Sequence, residues 1–70
     1  MGVLGNHVGR RIYGTGLSDI DIARRAGLTR AQLNRIRNGH VVPMVRTALA
    51  LAAALGCRVA DLFFLRTPRE

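Results

Sequence analysis

Apolar residues recur at helical spacing along most of the chain, and nowhere do they alternate with polar ones over the length of a strand. The pattern predicts an all-α domain with five helical segments. In the first, Leu4, Val8 and Ile12 fall on one face, interrupted by Gly5 and Gly9. Each such glycine costs roughly 1 kcal/mol relative to alanine in a helix interior, so packing must hold this segment, which should end near residues 14–16. Ser18 reads as the N-cap of the second segment, with Asp19 and Asp21 suited to the positive helix end and Ile22, Ala23 and Ala26 facing inward. Gly27 stops it, Leu28 points back to the core, and Thr29 caps a third segment, "RAQLNRIRN", with Leu33 and Ile36 inward and Gly39 after it. Pro43 suits the first turn of the fourth, where Val45, Ala48, Leu49, Ala52 and Leu55 form an apolar stripe up to Gly56. A short fifth helix, "VADLFF", contributes Val59, Leu62 and Phe63.

Residues 19–38 have a geometry of their own: a helix, a tight turn at Gly27 and a second helix, which together make a helix-turn-helix. Ala23 provides the small side chain that two steeply crossing helices need, opposite Leu33. With Ile22, Leu28, Leu33 and Ile36 inward, the outer face of the third segment presents Arg30, Ala31, Gln32, Asn34, Arg35 and Arg37 to solvent. Such a surface suits a DNA major groove. Gln32 and Asn34 are the residue types that read adenine, and equally the types that fill a helix surface.

Composition narrows the possibilities. A chain of 70 residues makes one small domain, here 1–65 with a short tail at 66–70, and buries only about 60% of its unfolded surface. That leaves little room for an enclosed catalytic cleft, so binding rather than enzymatic activity is expected. The formal charge of +7 calls for an acidic partner, and all 11 basic residues are arginine. The planar guanidinium binds a phosphate or a guanine edge through two hydrogen bonds, although a codon preference produces the same bias. Arg58, Arg66 and Arg69, outside the helix-turn-helix, read as solvated charges. A lone Cys57, expected buried and unreactive, and the lack of a signal-peptide pattern fit a cytoplasmic protein. The apolar run "TALALAAALG" is too short to span a membrane. His7 and His40 are far apart and Cys57 has no cysteine partner, so no metal or other cofactor is expected, and Ser18 is a helix cap before it is a nucleophile.

The stretch "GLSDIDIARRAGLTRAQLNRIRNG", followed by Pro43, "ALAAALG" and "VADLF", resembles the phage-repressor or Cro/cI-type (XRE) helix-turn-helix family over residues 16–63. The resemblance implies a compact five-helix, lambda-repressor-like domain that binds a double-stranded DNA operator as a homodimer, with residues 30–38 in the major groove. By position, it places Arg30, Ala31 and Arg35 at base edges with Gln32 and Asn34 nearby, and Asn38, His40 and Arg46 where the family grips phosphate. One departure is Asp19, at a position where the family often has a phosphate-binding Gln. A carboxylate repels phosphate, which leaves Arg24, Arg25 or Arg10 and Arg11 to take over. Arg37 is a further phosphate candidate. The first segment also departs, being rich in glycine and offset by one place at Arg11 and Ile12.

Phe64 and Leu65 extend past the residues the core needs and are candidates for a two-fold dimer contact, with packing back on the first segment as the other reading. The function expected is sequence-specific transcriptional regulation, as a repressor on a palindromic operator. With no second domain to take a ligand or protease, control would come through abundance or a partner, as suits a phage, plasmid or other mobile element. An antitoxin-like interaction module with secondary DNA binding is the alternative. A cationic membrane-surface helix would need one continuous basic face, which the glycines interrupt.

Overall fold

Reciprocal side-chain caps fix where the central helices begin. A computed structural model describes residues 3–66; in it Ser18 precedes α2 (Asp19–Ala26) and Thr29 precedes α3 (Arg30–Arg37). The Asp21 N–H donates to Ser18 Oγ at 3.2 Å, and the Ser18 N–H donates back to the Asp21 carboxylate at 3.4 Å. Thr29 and Gln32 repeat the arrangement at 3.1 and 2.8 Å. Each pair satisfies two amides that the start of a helix would otherwise leave without partners. Between the helices Gly27 has φ 73°, a left-handed backbone that side chains with a Cβ adopt only under strain.

Around this unit lie α1 (Val8–Thr15), α4 (Val45–Leu55) and α5 (Val59–Leu62). The core joins Val8 and Ile12 of α1, Ile22 of α2, Leu33 and Ile36 of α3, Leu51 and Leu55 of α4, and Leu62 of α5. Ala23, Ala26 and Ala52 lie in the same cluster, and their small side chains let helices approach closely. The five-helix, all-α architecture expected from the sequence is therefore present.

The structure corrects several details. Leu4 is not on the first helix: Val3–Asn6 forms a strand, β1, antiparallel to β2 (Phe63–Arg66), with Leu4 opposite Leu65 and Asn6 opposite Phe63. Helix α5 accordingly stops at Leu62, and Arg66, assigned to the tail, is the last residue of β2. Met1–Gly2 and the rest of the expected tail, from residue 67, lie outside the described residues. On α4 the buried residues are Ala48, Leu51, Ala52 and Leu55, while Val45 and Leu49 are exposed. Pro43 stands before the Met44 cap instead of in the first turn. Cys57 is half-buried against the core, not fully enclosed.

Two caps carry a pH dependence. Hydrogen bonds from the Ser18 hydroxyl and then the Ser18 N–H hold Asp21 below its ordinary value of 3.8. The N–H and then the side chain of Arg58 do the same for Asp61. Unfolding breaks these bonds, so the unfolded state takes up protons first as the pH falls. The contribution is complete above 3.8 and lost as the pH falls through the lower folded values. In thermal melts, an Asp21→Asn, Asp61→Asn variant should melt below the parent at neutral pH, and the gap should close below about pH 4. A gap independent of pH would show that charge at these caps does not matter.

Candidate nucleic-acid interface

The outer face of α3 is built by what its inner face does. Leu33 and Ile36 are buried, which turns Arg30, Ala31, Gln32 and Arg35 outward into solvent, with Asn34 partly covered. Four of the five sequence-predicted base-contact residues are therefore exposed on α3, and Asn34 is half-buried. Gln32 has a second duty, because its Oε1 accepts from Thr29 N–H at 2.8 Å; its amide nitrogen remains for an outside acceptor.

Arg37 behaves differently from its neighbours. Its Nη1 donates to Asp19 Oδ2 at 2.6 Å, which ties the last turn of α3 to the first turn of α2. The pair is about one-third exposed, so it acts as a positional tie more than as a large source of stability. The charge of Asp19 is thereby balanced by Arg37. Gly9 on α1 makes room for the tie: a Cβ there would lie 3.3 Å from Arg37 Nε. Neither the Arg37–Asp19 pairing nor the space at Gly9 was legible from helical periodicity, because they join three separate helices.

The remaining phosphate candidates are exposed. Arg24 and Arg25 occupy the last turn of α2, where cations also complement the negative helix end. Asn38 is the C-cap of α3, and the His40 N–H donates to Arg35 O at 2.9 Å, which folds the following loop back along the helix. Arg46 lies in the first turn of α4 and Arg30 opens α3, and neither first turn contains an acidic residue. Cations at positive helix ends are unfavourable on their own and become favourable when an anion sits between them.

Sequence reasoning missed Thr47. It lines, with Gln32, Arg35, Val41 and Pro43, an open depression of about 190 Å³ between α3 and α4. The only signal for it was its place one turn into the fourth segment, beside Arg46. Phe64 and Leu65 are separated by the strand they share. Phe64 stacks on His7 with ring centroids 4.7 Å apart, so it partly packs back on the first segment. Leu65 is 74% exposed. On the same chain, Leu4, Val42, Val45, Leu49 and Phe63 line an apolar groove of about 340 Å³. Among the described residues, no three His, Cys, Asp or Glu side chains come together as a metal site, and no helix is long and apolar enough to cross a membrane.

A capped helix-turn-helix whose second helix turns an arginine-bearing face outward defines a class of DNA-binding domain. A family model described as helix-turn-helix matches residues 11–62, and the chain belongs to the Cro/cI-type (XRE) helix-turn-helix family. Its activity at that level is sequence-specific DNA binding in transcriptional regulation. No curated protein matches the chain. Both strands of the ribbon fall outside the matched residues, which begin within α1 and end with α5.

Proposed function

We propose that the protein is a cytoplasmic transcriptional repressor that binds a palindromic operator as a homodimer, with residues 30–38 in the major groove. The observation that carries this reading is the exposed face of α3, where Arg30, Ala31, Gln32 and Arg35 stand outward on a helix already anchored from behind. Arg35 and Arg30 make base or phosphate contacts, Gln32 and Asn34 read adenine, and Ala31 touches a thymine methyl. Phosphate is held by Arg24, Arg25, Asn38, His40 and Arg46, and these contacts supply most of the affinity. Arg37 joins them only through the N–H groups not engaged by Asp19.

The dimer reading draws on the apolar groove and on Leu65. Residues 63 and 65 share one face of β2, and Leu4, opposite Leu65, lines the groove with Phe63. A second copy covering this uncharged surface avoids bringing two strongly basic faces together. The antitoxin alternative is not favoured, because the third helix directs Arg30 and Arg35 to solvent, where a DNA duplex can reach them.

Selection of bound sequences from a random duplex library at about 150 mM salt tests the proposal, since screening weakens purely electrostatic binding. Enrichment of a palindrome with half-sites about 34 Å apart is expected. Binding without enrichment, vanishing as salt rises, would defeat it. Sedimentation of a Phe64→Ala, Leu65→Ala variant tests the interface, and dimerisation equal to the parent would remove these two residues from it.

A further inference from the structure

We infer that Asn6 is a positioning residue for DNA reading, its side-chain amide clamping the C-terminal turn of α3 to the β-ribbon; this rests on α3 being the element that enters the groove. Asn6 Nδ2 donates to the carbonyls of Ile36 at 3.1 Å and Arg37 at 3.3 Å, across 30 and 31 residues of sequence. Its Oδ1 accepts from Val8 N–H at 3.0 Å. One amide orientation satisfies all three bonds, and the reverse would set oxygen against two carbonyls.

The carbonyls at the end of α3 account for why this matters. Those of Asn34, Arg35 and Ile36 accept from the N–H groups of Asn38, His40 and Gly39. Among the described residues, the Arg37 carbonyl has Asn6 as its donor. The last turn is thus held from two sides, by Asp19 through the Arg37 side chain and by Asn6 through the backbone. Arg35 precedes the clamped Ile36 by one residue. A shift of about 1 Å in that turn is enough to spoil a two-bond base contact at the end of the long Arg35 side chain.

Asn6 is also the ribbon residue paired with Phe63. The residue whose side chain bonds the end of α3 therefore pairs through its backbone with β2, two positions from Leu65. It lies ahead of the family match, which starts at residue 11.

Asn6→Ser separates the two bonds of the amide. A serine hydroxyl still accepts from an N–H two residues on, is too short to reach α3, and adds no charge. The affinity of each protein is measured for the selected operator and for a random duplex of equal length at one salt concentration. The variant is expected to lose about tenfold in operator preference, with random-duplex affinity within about twofold of the parent. A folded variant with full preference would overturn the role of Asn6. A parent chain with no preference would instead overturn the DNA-reading proposal, and this inference with it. Should the variant not fold, hydrogen exchange of the parent's Asn6 side-chain amide decides: slow exchange supports the clamp, and exchange at the solvent rate refutes it.

Discussion

Replacing Arg35 with alanine is expected to cost about 1–3 kcal/mol on the correct operator and little on random DNA. The side chain stands exposed on the outer face of α3 and lines the same depression as Gln32 and Thr47, with no intramolecular ion pair among the described residues to occupy it. A guanidinium so placed can donate two parallel bonds to a guanine edge, and these are lost together on truncation. Fluorescence anisotropy on operator and random duplexes across a salt series separates this role from a phosphate contact. In the latter case both affinities fall alike and the slope of log affinity against log salt flattens by about one unit. Equal losses on both duplexes would reassign Arg35 to the backbone.

Leu51→Ala should be the most damaging of the changes considered on α4, at about 2–5 kcal/mol, because Leu51 is fully buried and its removal leaves a cavity in the core cluster. A domain of this size has a total stability on the order of 4–10 kcal/mol, so the variant is expected to lose about half of it. Leu49→Ala, two residues away and 56% exposed, should cost under about 0.5 kcal/mol in the monomer. Urea titrations followed by circular dichroism, at low protein concentration, distinguish the two. Comparable losses for both leucines would mean that α4 presents a different face to the core.

These leucines show where periodicity stops being informative. Along "TALALAAALG" apolar residues surround the whole helix, so two stripes rotated relative to each other fit equally well, and both contain Ala48, Ala52 and Leu55. Choosing Leu51 over Val45 and Leu49 requires the surfaces of α1, α2 and α5 that pack on α4, which lie outside the helix itself. The first segment was legible from Val8 and Ile12 to its end, and only its start was misplaced. Leu4 keeps the helical spacing by coincidence, and the strand there exists because residues 63–66 supply its hydrogen-bond partners.

What the sequence by itself determined is the local punctuation and the outward face of α3. Ser18 with Asp21, Thr29 with Gln32, and the glycine between the two helices act within a few residues of each other, so their chemistry is complete in the sequence. Tertiary structure alone decided the rest: Arg37 is tied to Asp19, Asn6 holds the end of α3, Phe64 turns to His7 while Leu65 faces outward. Each of these depends on residues far apart in sequence that only the packed helices and the ribbon bring within hydrogen-bonding or van der Waals distance.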